Sequence, residues 1–479
     1  MAVGTTTPSL VTHRYAHGYA SEADRAASGK AARRAVSRAS LGEWAADRHR
    51  TEAIQILAGQ ERTRVADLVP IRHGRMAASP FAFFRGAAAV MAADLAGGPR
   101  TGLQVQLCGD AHLMNFGGFA SPERDLVFDV NDFDETLPGP FEWDVKRLAA
   151  SLEVAARDRG FDQTHRRAIV GWAARAYREG IRGFASMGVL DIWYSRLDEA
   201  GIVRSWGTQA PRETLRNLQR RAGKAGTKNH LKAFNRLVRV DDGQLHFVSD
   251  PPLLVPIREV FSELDAKRIW DTLVVTLDNY RDSLRRDLRH LVDRFELVDV
   301  ARKVVGVGSV GTRCWVVLLI GQNPADPLFL QVKEAEASVL EPHVGKSRYA
   351  NHGQRVVQGQ RYMQAASDIM LGWCRARGAD DVTRDFYVRQ LWDWKISGNV
   401  ESMTAATMRV YAQICGWTLA RGHARSGDAT AIAAYLGSGD TFDKAMVRFA
   451  GAYADQNEDD HLALVEAVRT GRTEATANV

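Results

Sequence analysis

CGDAHLMNFG, Cys108 to Gly117, places an aspartate, a histidine and an asparagine in a short polar turn between two apolar segments. Gly109 and Gly117 bracket it as loop punctuation, and LQVQL before it reads as a strand or buried segment. A purely structural turn would need the glycines and the asparagine, but not three chemically able side chains. The stretch therefore reads as a functional loop, with Asp110 and His112 as catalytic candidates and Asn115 as a ligand candidate. For His112 a structural role bracing the loop stands beside contact with an acceptor.

A dozen or more residues on, DLVFDVNDFDE sets Asp129, Asp132, Asp134 and Glu135 at the end of an apolar run. Strand alternation predicts Asp132 and Asp134 on one face, with Phe128 and Phe133 left to pack. So many acids repel one another unless a cation or solvent offsets them. Carboxylate and amide oxygens without cysteine suit Mg²⁺ rather than Zn²⁺, which makes Asn115, Asp132 and Asp134 the metal candidates, with Asp129 in reserve. A solvated turn with an Asx cap is the alternative.

GVGSVG carries Gly306, Gly308 and Gly311 in the GxGxxG spacing, but it runs into the strand-like TRCWVVLLIG rather than a helix. That context fits a glycine-rich loop over nucleotide phosphates. After the turn QNPADP, LFLQVKEA carries Lys333 in an apolar setting, where burial is costly without an anion. A lysine on a solvated strand face is the alternative.

Around these motifs the chain divides into a mobile basic leader over 1–50, with a helical patch from Glu22, and a helical block over 51–296. A β-rich region over 297–400 and a closing helical block over 401–479 complete an α+β protein. SPFAFFRGAAAVMAADLA reads as one helix from a Ser-Pro start, and Glu259 to Phe295 as largely one amphipathic helix. NLQRRAGKAGTKNHLKAF reads as a mobile segment. A helix is expected through GQRVVQGQRYMQAASDIMLGW, then a strand in DFYVRQLWDWK. Arg72, Arg75 and Arg85 read as arginines on solvated helix faces, with anion contacts as the alternative.

The 479 residues are 45% hydrophobic and 25% charged, as in ordinary globular proteins, and no apolar run reaches bilayer length. Four cysteines without a CxxC pair give neither a disulfide framework nor a zinc site, and favour a reducing cytoplasm. A net charge of +6 with interleaved acids argues against nucleic acid as a partner.

GDAHLMN is similar to the catalytic loop GDxHxxN of aminoglycoside phosphotransferases and choline kinases, a branch of the protein-kinase-like superfamily. NDFDE resembles their metal segment, and GPFEWDVKRLA the stretch that follows it. The resemblance implies a bilobal kinase-like fold using ATP and Mg²⁺. Asp110 would be the catalytic-loop aspartate, Asn115 and Asp132 metal ligands, and Asp144 an acid bracing the loop. Gly306, Gly308 and Gly311 would form the nucleotide loop, and Lys333 would pair with phosphate. The chain also resembles the bacterial family catalogued as domain of unknown function 2252, through SPFAFFRGAA, GDAHLMNFG, NDFDE, WDVKRLAAS, GQRVVQGQR and LARGHARSGD, which reach from about Arg72 to Asp428.

Two departures from the kinase pattern follow. The glycine loop and Lys333 come after the catalytic loop, which implies a circular permutation, with YAQICGWTLARGHARSG supplying the helix that normally precedes that loop. The lysine's usual helix glutamate is also missing, because GQRVVQGQRYMQ has glutamine there, so Glu336 or Glu341 would substitute. The expected function is phosphoryl transfer from ATP to an unidentified small-molecule or protein hydroxyl. Nucleotidylyl transfer, a metal-dependent phosphoesterase or nuclease, and an inactive nucleotide-binding module are the alternatives.

Overall fold

The computed structural model describes residues 20–476, apart from 226–229, 242, 261, 305, 379 and 392–395. Helices and sheets are mixed, and the protein is α+β. Strands β1 (Gln104–Leu107), β2 (Phe116–Ala120), β3 (Leu126–Val130) and β4 (Leu137–Pro140) surround the CGDAHLMNFG loop, and β5 (Val238–Asp241) and β6 (Gln244–Phe247) form a hairpin. Then come β7 (Leu254–Pro256), β8 (Glu296–Lys303), β9 (Cys314–Ile320), β10 (Pro327–Ala335), β11 (Gly372–Arg377), β12 (Thr383–Gln390) and β13 (Ile396–Ser397).

Strands β7 to β12 build one antiparallel sheet in the order β11-β12-β10-β9-β8-β7. Side-chain alternation fixes its two faces. Val317 and Leu319 of β9 join Leu328, Leu330 and Val332 of β10 against Ile269, Leu273 and Tyr280 of the helix Glu263–Asp282. Val316, Leu318 and Ile320 pack with Phe329 on the other face. Lys333 shares the parity of Phe329, so it stands on the face away from that helix. The helix His352–Met363 lies between β10 and β11, its start capped by Asn351, whose side chain accepts from the Gln354 amide.

The larger core belongs to the helices Phe141–Asp158, Gln163–Ala185, Ala405–Ser426 and Thr441–Arg469. Phe141–Asp158 is buried on nearly every side, which marks it as the central helix. Phe184 and Trp417 lock two of its neighbours together with ring centroids 5.3 Å apart. Among the described residues no helix is long and apolar enough to cross a membrane.

Several elements differ from the sequence expectation. The Ser-Pro stretch forms two helices, Pro80–Gly86 and Ala88–Ala96, because the Gly86 carbonyl accepts from Arg72 at 3.0 Å instead of continuing the helical ladder. The helix expected over Glu259 to Phe295 is broken into Glu263–Asp282 and Arg286–Val292. The basic segment read as mobile is helical over Arg212–Ala225 and His230–Leu237, with 226–229 outside the described residues. The helix after β10 stops at Met363, where Gln364 turns extended and donates from its amide to the Val130 carbonyl at 2.6 Å. In the N-terminal basic stretch a capped helix covers Glu22–Ala35; residues 1–19 lie outside the described residues.

Candidate active site

The loop that opened the sequence reading is held from below by one face of the central helix. Asp144, Arg147 and Ser151 are three and four residues apart, so they project from the same side. Asp144 accepts from the amides of Cys108 at 2.8 Å and Gly109 at 3.1 Å. Ser151 accepts from Leu113 N at 3.1 Å, and Arg147 donates from Nε to Asp110 Oδ1 at 2.8 Å. Gly109 has φ +86°, and a Cβ there would lie 2.3 Å from the Glu135 carbonyl, so only glycine fits. Asn115 donates its amide to the Asp110 carbonyl at 2.8 Å, closing the turn.

His112 braces this loop, its Nδ1 accepting from Met114 N at 3.2 Å. Burial pushes the imidazole down to about 3, so the ring is neutral at physiological pH, 3.8 Å from Asp110 Oδ2.

Asp132, Asp134 and Glu135 do not lie on a strand. β3 ends at Val130, and Asp132 to Glu135 form the turn that follows, where Asp132 Oδ1 accepts from Asp134 N at 3.2 Å. The Asx-type contact weighed as the alternative is therefore present, but the turn lines a cavity rather than bulk solvent. Phe133 points into the core and is 2% exposed. Asp129, the expected reserve ligand, is not part of the site. It is buried on the other face, paired with Arg421 and bound by the Ala365 amide.

Lys333 and the acidic turn meet directly, 199 residues apart in sequence. The lysine Nζ contacts Asp134 Oδ2, Tyr387 donates to Asp134 Oδ1 at 2.8 Å, and the Ser309 hydroxyl donates to Oδ2 at 3.1 Å. Burial alone would lower the Lys333 ammonium, but Asp134, with Tyr387 and Asp132, raises it above the ordinary lysine range. The substitute partners expected for the lysine are thus replaced. Glu336 offers its backbone carbonyl to Arg355 and Glu341 lies near His352, while Asp134 is the counter-ion. Arg355, from the helix between β10 and β11, donates to the carbonyls of Asp134 and Thr136, each at 2.8 Å, and so ties that helix to the turn. Burial pushes the neighbouring Glu135 carboxyl up to about 7, against the pull of Arg355 and the Val339 amide.

The glycine-rich loop joins β8 to β9 and contains a tight 3₁₀ turn over Val307–Ser309. Gly306 and Gly308 line the same cavity as Asp110, Asn115, Asp132 and Lys333. Gly311 does not line it. It has φ +92° and packs behind the loop against the Arg64 side chain. The cavity has a volume of about 420 Å³, in the range of small-molecule sites. Among the described residues no group of three or more His, Cys, Asp or Glu is arranged to hold a metal.

Arg64, Arg72, Arg85 and Arg389 also line the cavity. The sequence reading of Arg72 as a solvated helix residue is corrected, since it is 0% exposed, and Arg85 also lines the cavity. Sequence reasoning missed Arg64, Arg147, Ser309, Arg355 and Tyr387. Arg147 left a signal in its spacing of three from Asp144 on a helix, and Ser309 in its place within GVGSVG; Tyr387 enters by pairing opposite Lys333 in the sheet register.

A family model described as "uncharacterized protein conserved in bacteria (DUF2252)" matches residues 64–467. The chain belongs to this family. No curated protein and no solved structure matches it. The DUF2252 region begins at Arg64 and takes in every residue of the cavity described above apart from Gln60.

Proposed function

We propose that this DUF2252 protein is an ATP- and Mg²⁺-dependent phosphotransferase of circularly permuted, protein-kinase-like fold, acting on a hydroxyl acceptor. One observation carries the reading: the Lys333 strand, the glycine loop and the acidic turn after β3 converge on one cleft through Asp134. Kinases hold nucleotide with a glycine-rich loop, a lysine on the third strand and a metal-binding aspartate. Counted from the strand that enters the glycine loop, Lys333 is on the third. The permutation is supported by the helix Ala405–Ser426, whose end meets the strand leading into the catalytic loop. Ser426 Oγ accepts from Gln106 N at 3.1 Å, and His423 Nε2 lies 3.2 Å from Asp144 Oδ2.

In this reading Asp110, oriented by Arg147, takes the proton of the acceptor hydroxyl. The hydroxyl oxygen bonds to the γ-phosphorus as the bond to the bridging oxygen breaks, and its electron pair leaves with ADP. Lys333 and the amides of the glycine loop hold the phosphates. With its amide nitrogen engaged, Asn115 has its oxygen to offer beside Asp132. Such a donor set fits Mg²⁺, which takes one or two protein carboxylates and completes its shell with phosphate and water rather than an all-protein cage. Bound Mg²⁺ would neutralise charge on the terminal phosphates.

The hold of Asp134 on Lys333 favours one second reading, a module that binds nucleotide without turnover. Incubation with γ-labelled and, separately, α-labelled ATP and Mg²⁺ tests both readings. Label release from the γ position, lost by at least a hundredfold in Asp132→Ala while the thermal transition is kept, is the expected result. Turnover equal to wild type in that variant removes the phosphotransferase reading, and label transfer from the α position replaces it with nucleotidylyl transfer.

A further inference from the structure

Asp110, Asp132, Asp134 and Glu135 all have partners in the cleft, whereas guanidinium nitrogens of Arg64, Arg72 and Arg85 do not. Arg72 is fully buried, and its Nη2 donates to the Gly86 carbonyl at 3.0 Å and to Gln60 at 3.2 Å. Its Nε and Nη1 have no hydrogen-bond partner, and the nearest carboxylate, Glu61, is 3.8 Å away and held by His73 at 2.6 Å. The Nε of Arg85 is likewise buried and unpartnered, and so is that of Arg64, whose two Nη atoms hold the Gly308 and Val310 carbonyls of the glycine loop. Burial pushes Arg72 down to about 9, and also lowers Arg64 and Arg85. Buried guanidinium nitrogens left without partners are costly, and a planar fork of donors matches phosphate oxygens.

The cluster reaches from the glycine loop, whose Gly308 and Val310 carbonyls Arg64 holds, to the catalytic loop. Lys333 and Ser309 converge on Asp134, whereas Arg85 follows Phe84, whose carbonyl accepts at 2.6 Å from Arg147, the guanidinium that holds Asp110, the residue proposed to receive the acceptor's proton. A single carboxylate would leave most of this charge unmet, while a phosphate dianion meets two guanidinium groups together.

We propose that Arg72 and Arg85, flanked by Arg64, form a phosphate subsite on the acceptor side of the cleft, so that the acceptor is an already phosphorylated, hydroxyl-bearing small molecule. The inference rests on the phosphotransferase reading for the word acceptor, but the subsite itself does not.

Calorimetric titration of the full chain with inorganic phosphate, without Mg²⁺ or nucleotide, tests it, repeated with a non-hydrolysable ATP analogue and Mg²⁺ at saturation. Arg85 is the residue to change, because Arg72 supports the Gly86 turn and Arg64 the glycine loop. Wild type should bind phosphate with and without the analogue. Arg85→Gln should weaken phosphate binding at least tenfold, with Arg85→Lys in between, while analogue affinity changes less than threefold. Absence of saturable phosphate binding by wild type overturns the subsite, as does unchanged affinity in Arg85→Gln. Displacement of phosphate by the analogue, or equal loss of both ligands in the variant, overturns its assignment to the acceptor. Phosphate binding that survives in a protein unable to bind the analogue keeps the subsite and removes the nucleotide reading instead.

Discussion

Asp134 shows how one side chain can join three distant stretches of chain. Its carboxylate receives Lys333, Tyr387 and Ser309, which lie on β10, on β12 and in the glycine loop. A lysine buried to 3% exposure would lose its charge without such a partner, so the pair keeps the ammonium ready for an incoming anion. His112 shows the opposite case, a titratable group made inert. The folded chain holds it neutral down to about pH 3, whereas the unfolded chain protonates it below about 6.5. Stability therefore drops as pH falls through that window, and this residue adds no slope above it. His112→Asn keeps an oxygen to accept from Met114 N but removes the titration. Its melting temperature should fall less than that of wild type between pH 7.5 and pH 5. Equal falls would show that His112 is not held neutral.

At the scale of elements, the helix Ala405–Ser426 fastens the site to the larger core. Arg421 and Asp129 are each 1% exposed, and the guanidinium lies 2.6 Å from Asp129 Oδ2 and 2.9 Å from the Met363 carbonyl. Removing one member of such a pair strands a buried charge. Asp129→Ala should cost about 3–5 kcal/mol in chemical denaturation. A loss below about 1 kcal/mol would mean the pair does not anchor the helix. The elements differed in how far the sequence disclosed them. The apolar run of LFLQVKEA after the turn QNPADP and the Ser-Pro start of SPFAFFRG mark a strand and a helix end by local chemistry. The break after Gly86 was not legible, because it depends on a guanidinium fourteen residues earlier reaching one carbonyl. The stop at Met363 depends in the same way on Gln364 finding Val130 across the fold.

Over the whole molecule, sequence motifs identified Asp110, Asn115, Asp132 and Lys333, and the fold brings all four to one cavity. The lysine's counter-ion was not legible, since it comes from the acidic turn 199 residues away rather than from the neighbouring helix. Arg64 and Arg72 were hidden for a related reason. An arginine's burial is decided by what covers it, and neither the bend that holds Arg64 nor the helix that holds Arg72 carries a pattern that says so. The account as a whole rests on the two walls of the cleft closing around one nucleotide, and equilibrium binding of Mg-ATP to wild type, Lys333→Met and Asp132→Asn tests this most directly. Saturable, Mg²⁺-dependent binding that weakens at least tenfold in each variant, one from each wall, is the predicted result. No binding by wild type, or binding that neither substitution alters, would contradict it.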